Sequence, residues 1–125
     1  MKVSVIVPIY NVEKYISACA RSLFEQTFKD VEYIFVNDCS TDRSLQRLED
    51  VAARYALPHL QLINHERNRG SGAARLTAME HAHGEFIMFA DSDDSVPPHA
   101  IETLVKRQAE TGADMVDGAT DSFAE

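Results

Sequence analysis

Short apolar runs alternate with stretches of helical periodicity along this chain, and that alternation restricts the fold more than any other feature. Runs rich in β-branched residues predict buried strands, whereas apolar residues three and four apart predict helices that bury one face. Regular alternation of the two predicts an α/β fold with a mostly parallel sheet, helices on both faces and right-handed crossovers. The predicted strands are residues 3–7, which Pro8 bounds, and residues 31–36, 60–63, 86–90 and 113–116.

Capping and core cues refine the predicted helices. Asn11 precedes the first helical stretch and is of a residue type that caps helix N-termini. Pro97 and Pro98 suit the first turn of the last helix, where a backbone N–H has no partner, and Gly112 suits its end. Cys19 falls on the apolar face of the first helix, so we expect it in the core.

Composition excludes several classes of function. A net charge of -8 with no Lys/Arg cluster argues against a nucleic-acid partner. The 125 residues suffice for one domain, residues 1–125, and the content of 45% hydrophobic residues is ordinary for a soluble chain. No apolar run has membrane-spanning length and no leader opens the chain, so we expect a cytoplasmic protein without a transmembrane segment, with peripheral membrane association left open. The five histidines lack metal-ligand spacing and are expected on the surface.

The apolar run of residues 86–90 ends abruptly in three acids, Asp91, Asp93 and Asp94. Three carboxylates at the end of a buried strand repel one another, and a bound cation would offset that repulsion. Oxygen-only ligands of this kind suit Mg²⁺ or Mn²⁺. A polar loop that caps the next helix uses the same residue types, so for an isolated DxDD motif the two interpretations weigh about equally.

Other polar or stackable residues follow the predicted strands, and ligands of parallel sheets bind beyond the carboxyl ends of the strands. Tyr10 is either a rim residue or a ring that stacks near a nucleobase. Asp38 either caps the second helix or accepts from a base or ribose. The glycine-rich loop at residues 70–72 departs from the dinucleotide fingerprint, because Arg75 stands at the third glycine position and the loop follows the third strand.

Four stretches together resemble the family 2 glycosyltransferases: residues 3–11, 36–42, 68–75 and 84–94. The resemblance implies a GT-A fold, a Rossmann-like nucleotide-diphospho-sugar transferase fold with a DxD-type metal site. It also implies a nucleoside-diphosphate-sugar donor and a metal-assisted, inverting transfer to an acceptor hydroxyl. The acceptor would be a saccharide or a lipid-linked molecule, as in polysaccharide biosynthesis.

The resemblance assigns roles to individual residues. Asp38 would bind the base and Asp91 would face the ribose. Asp93, together with Asp91, would hold a Mg²⁺ or Mn²⁺ ion that bridges the diphosphate, with Asp94 as a supporting partner. The full set implied at the nucleotide-sugar is Pro8, Tyr10, Asp38, Asp91 and Ser92.

The chain departs from the family pattern at several points. Asn37 and Cys39 flank Asp38 where the family has an acid and a glycine, and Leu76 stands where Asn is common. Family members carry a catalytic Asp or Glu in a downstream acceptor-binding half, and no acid after Asp94 has motif context here. We therefore assign no catalytic base and expect this chain to be the donor-binding part of a longer enzyme.

Three alternatives remain at this point. A sugar-nucleotide pyrophosphorylase would carry a glycine-rich basic loop after the first strand, where this chain has Pro8 to Asn11. A receiver-type module would carry a single phosphorylatable Asp after the third strand, whereas Asp91 follows the fourth. A non-catalytic nucleotide-binding module would share all the binding features.

Overall fold

The computed structural model describes residues 2–55, 57 and 59–111. Within these residues four strands alternate with four helices along the chain. The predicted fifth strand, residues 113–116, and the predicted helix end at Gly112 lie outside the described residues. The elements are β1 Val3–Ile9, α1 Ile16–Phe24, β2 Val31–Asn37, α2 Ser44–Ala52, β3 Leu60–Asn64, α3 Ser71–Glu80, β4 Phe86–Phe89 and α4 Ala100–Thr111.

The four strands form one sheet in the order β3-β2-β1-β4, and every neighbouring pair is parallel. Val3 of β1 lies opposite Val31 of β2 on one side and opposite Phe86 of β4 on the other. The predicted parallel arrangement is confirmed. Because the strands run in one direction, the polar segments that follow them meet at a single edge of the sheet.

Helices cover both faces of the sheet, as predicted. On one face α1, α2 and α4 bury Leu23, Leu48 and Ile101 against β1 and β2. On the other face α3 contributes Ala74 and Ala78. Because these side chains are small, α3 can pack closely against Ile6 and Ile34 of the two central strands. Cys19 is fully buried in the hydrophobic core on the α1 face of the sheet, which confirms its predicted place in the core.

The first strand continues through Pro8 instead of ending there. The residues of β1 with even numbers bond toward β4, since Ala90 N–H donates to the carbonyl of Ile6 at 2.9 Å. At Pro8 that side of β1 lies beyond the end of β4, whose last residue is Phe89. The missing N–H of proline therefore breaks no bond of the ladder.

The predicted N-cap at Asn11 is wrong. Helix α1 begins at Ile16 with Tyr15 at the N-cap, while Asn11 has a φ of 50°. The Asn11 side-chain oxygen instead accepts from Thr41 N–H at 2.8 Å, so it ties the β1–α1 loop to the β2–α2 loop. A long-range partner has replaced the local one.

The prolines before the last helix precede its first turn. Helix α4 begins at Ala100, two residues after Pro98. A side chain from another helix satisfies one of its N-terminal donors, because Gln26 Oε1 accepts from Ile101 N–H at 3.0 Å. No helix among the described residues is long and apolar enough to cross a membrane.

Candidate functional site

A cleft of about 390 Å³ opens at the carboxyl edge of the sheet. All six residues that the sequence analysis assigned to the nucleotide-sugar or the metal line this cleft, namely Pro8, Tyr10, Asp38, Asp91, Ser92 and Asp93. The Tyr10 ring follows β1, the Asp38 carboxylate follows β2, and the other carboxylates follow β4. They lie near one another because parallel strands end at the same edge of the sheet. Tyr10 is 47% exposed, which leaves its ring available at the rim. The roles assigned to these residues stay predictions.

Asp38 is the most buried of the polar residues that line the cleft. Its Oδ1 accepts from Arg69 N–H at 2.8 Å and lies 2.9 Å from His65 Nδ1, and its Oδ2 accepts from Gly70 N–H at 2.8 Å. Burial alone would raise the pKa of Asp38, but the hydrogen bonds from His65 and from the two backbone groups outweigh burial and lower the pKa. The carboxylate thus stays ionised and fixes the β3–α3 loop.

His65 contradicts the prediction that all five histidines lie on the surface. Its side chain is 5% exposed, with Nδ1 on Asp38 and Nε2 at 2.8 Å from Thr77 Oγ1. No local signal predicted this, because both partners lie far away in sequence. The prediction is confirmed for the exposed histidines His59, His81, His83 and His99.

The three acids of the fourth strand end lie close together. One carboxylate oxygen of each of Asp91, Asp93 and Asp94 lies within 4.8 Å of the others. Asp93 and Asp94 are exposed, and Asp91 is partly buried. None of the three caps the next helix, since α4 begins only at Ala100. The helix-cap interpretation therefore fails for these acids, and a cation site is sterically possible.

Helix α1 holds the segment that carries these acids. The Cys19 thiol donates to the carbonyl of Asp91 at 3.5 Å, and Ser22 Oγ accepts from Val96 N–H at 2.9 Å. Burial, and after it the negative charges of the three acids, raises the pKa of the Cys19 thiol to about 12. The thiol is therefore protonated at neutral pH and serves as a donor. The sequence alone did not reveal these contacts, because the partners of Cys19 and Ser22 lie more than 70 positions away along the chain.

Arg75 supplies a positive charge in the wall of the cleft. Its guanidinium carbon lies 5.4 Å from the centroid of the Phe89 ring, a cation–π distance. Its Nε is buried and has no hydrogen-bond partner among the described residues. A buried donor without a partner is costly, so this atom suits an acceptor on a ligand. No role for Arg75 was predicted from the sequence, although Ala74 and Arg75 lie in one of the four stretches that carry the resemblance.

Comparisons with known proteins agree with this geometry. The family model described as Glycosyl transferase family 2 matches residues 4–125. The glycosyltransferase GlyA of Streptococcus pneumoniae is 39% identical over 124 residues, which make up 99% of this chain and 17% of GlyA.

Two solved structures show the same fold. Staphylococcus aureus TarS in complex with UDP has a TM-score of 0.80 and 39% identity, and the match covers 90% of this chain and 33% of that chain. The mannosyltransferase PcManGT of Pyrobaculum calidifontis, in complex with GDP-Man and Mn²⁺, has a TM-score of 0.82 and 30% identity, over 88% of this chain and 33% of that chain. The chain therefore spans no more than a third of the length of these proteins. It has the expected GT-A fold and belongs to glycosyl transferase family 2.

Proposed function

We propose that this chain binds a nucleoside-diphosphate-sugar and forms the donor-binding part of an inverting, metal-assisted glycosyltransferase. The observation that carries the proposal is a single cleft with an acidic cluster on one side and a buried, ionised Asp38 on the other. In such a cleft the acidic cluster can bind a diphosphate through a cation, while Asp38 accepts a hydrogen bond from the nucleobase. Family membership disfavours the pyrophosphorylase and receiver alternatives.

The acidic cluster fits a divalent cation. Oxygens that bind one Mg²⁺ at about 2.1 Å lie roughly 3 to 4 Å apart, so carboxylates within 4.8 Å of each other need only small side-chain rotations. Asp93 and Asp91 would hold the ion, with Asp94 in support. A bound cation supplies positive charge that stabilises a departing diphosphate.

The remaining residues of the cleft would hold the rest of the donor. The exposed ring of Tyr10 can stack near the base, with Pro8 beside it, while Asp38 accepts from a base N–H. Asp91 and Ser92 would face the ribose. Arg75, whose Nε has no partner within the described part of the chain, would donate to an anionic oxygen of the donor.

Transfer also needs a general base that removes the proton from the acceptor hydroxyl. No residue of the described cleft is assigned that role, and the proposal places it in an acceptor-binding part outside residues 1–125. The acceptor would be a saccharide or lipid-linked molecule. This chain would then bind a donor without transferring its sugar.

Calorimetric titration with UDP and UMP in excess Mn²⁺ tests the donor-binding role. We expect one site per chain and tighter binding of UDP, because only its second phosphate completes the contact with a cation at the acidic cluster. Sugar transfer from UDP-GlcNAc to simple saccharide acceptors should stay at the level of a protein-free blank. Failure of UDP and UMP, and of GDP under the same conditions, to bind would refute donor binding, and robust acceptor-dependent transfer would refute the placement of the general base outside this chain.

A further inference from the structure

The fold alone does not determine which nucleobase a protein binds. Solved structures of this fold include one in complex with UDP and one with GDP-Man, at TM-scores of 0.80 and 0.82 to this chain. Side chains at the base position must therefore decide which nucleotide each protein prefers. In the proposed function the side chain that meets the base is Asp38, and the inference below rests on that function.

The acceptor positions of Asp38 are nearly all occupied by the protein. A carboxylate offers about four lone-pair positions, two on each oxygen. Among the residues that the structure describes, Oδ1 receives both Arg69 N–H and His65 Nδ1, whereas Oδ2 receives only Gly70 N–H. One position therefore remains, and it is on Oδ2.

The His65 contact is a genuine donation. An ionised carboxylate only accepts, so Nδ1 must carry the proton. The Thr77 hydroxyl can donate to Nε2 of a neutral ring or accept from a protonated one, and it also lies 3.0 Å from the carbonyl of Ala73. Thr77 therefore holds the ring in place in either state, and His65 keeps Oδ1 filled.

Uracil and guanine place different demands on such a carboxylate. Uracil presents a single imide N–H between two carbonyls, which one free position on Oδ2 can accept. Guanine presents two adjacent donors, N1–H and N2–H, which a carboxylate accepts with both of its oxygens. Because Oδ1 is filled, one guanine donor would be desolvated without a partner.

We propose that His65 determines base specificity, because by filling Oδ1 of Asp38 it makes the site select a uridine nucleotide over a guanosine nucleotide. His65 is a positioning residue that acts through Asp38 and does not touch the donor itself. The substrate class is thereby narrowed to uridine-diphosphate sugars.

The test is the ratio of UDP to GDP affinity, measured by calorimetry on the full chain in saturating Mn²⁺. The unsubstituted chain should bind UDP about tenfold more tightly than GDP, the effect of one unpaired donor. His65→Leu removes the donor, opens Oδ1 and should bring the ratio close to one, while Thr77 keeps its bond to Ala73. His65→Asn retains an N–H near the Nδ1 position and should keep most of the preference.

A role of His65 in stability alone would weaken both nucleotides equally and leave the ratio unchanged in His65→Leu. That result would overturn the proposal, as would equal affinities or a preference for GDP in the unsubstituted chain. Thermal melts establish that each variant is folded. If His65→Leu does not fold, the ratio of the unsubstituted chain and that of His65→Asn decide. If neither nucleotide binds the unsubstituted chain, the proposed function fails as well.

Discussion

Replacing Asp38 by Asn should destabilise the fold by an amount that the hydrogen-bond geometry sets. Both carboxylate oxygens accept from the protein: Oδ1 from Arg69 N–H and His65, and Oδ2 from Gly70 N–H. An amide has one acceptor end, so at least one of these donors must face an NH₂ group. The least costly orientation turns that group toward Gly70, whose N–H also lies 3.1 Å from Asn68 Oδ1.

The expected loss is about 2–3 kcal/mol at pH 7. Hydrogen bonds to a charged group contribute about 1.5–3 kcal/mol, and neutral ones roughly half as much. The variant loses one such bond outright, weakens two others and regains part of the loss through Asn68. Urea unfolding followed by far-UV circular dichroism measures the difference. Asp50→Asn, on the exposed surface of α2, is the matched control and should stay within about 0.5 kcal/mol of the unsubstituted chain.

The pH dependence of this difference has a defined sign. The pKa of Asp38 is lower in the folded chain than in the unfolded chain, where it should lie near 3.9. The stability from its ionised form is therefore fully present above about pH 4 and is lost as the pH falls through the folded pKa. The free energies of unfolding of the unsubstituted chain and of Asp38→Asn should therefore converge as the pH falls through that range. A loss below about 1 kcal/mol at pH 7, or a gap that does not narrow in acid, would refute the reasoning.

Two further substitutions test packing away from the cleft. Gly84→Ala should cost about 1–3 kcal/mol in urea unfolding, since the added Cβ would lie 2.6 Å from Ser4 N in β1. Gly72→Ala is its matched control, because a Cβ added there meets no described atom within 4 Å. Equal stabilities of the two variants would contradict the predicted clash at Gly84. Gln26→Leu should cost about 1–3 kcal/mol in the same assay, because it removes the acceptor of Ile101 N–H and the donor to the carbonyls of Ser22 and Pro97, whereas the exposed Gln46→Leu should have little effect. A Gln26 variant as stable as the unsubstituted chain would show that these bonds contribute nothing.

The positions of the strands along the chain and their parallel direction followed from local pattern, whereas their order in the sheet did not. Apolar runs such as residues 3–7 and 31–36 carry enough β-branched residues to predict buried strands, and helices between them leave parallel pairing as the expected arrangement. The same reasoning predicted a common edge for Asp38 and Asp93, which line one cleft. Strand alternation therefore predicts where a site lies.

The sequence did not reveal what holds the site in place. His65 bonds to Asp38 across 27 positions, and Gln26 to Ile101 across 75. Asn11 caps no helix because its oxygen meets Thr41, a residue 30 positions away. Local pattern records periodicity and capping, but it holds no information on which polar side chain meets which loop after folding. Such partners emerge only once the strands have been placed.

The claim on which the proposed function depends is that the acids at the end of β4 hold a cation needed for diphosphate binding. Titration of the chain with UDP, in Mn²⁺ and again after chelation, measures this directly. We expect chelation to weaken binding at least about tenfold, because three carboxylates repel a bare diphosphate that a divalent ion would attract. Asp93→Asn should bind UDP more weakly, and added Mn²⁺ should restore the affinity only in part. UDP affinity that is unchanged by chelation in the unsubstituted chain would contradict the claim.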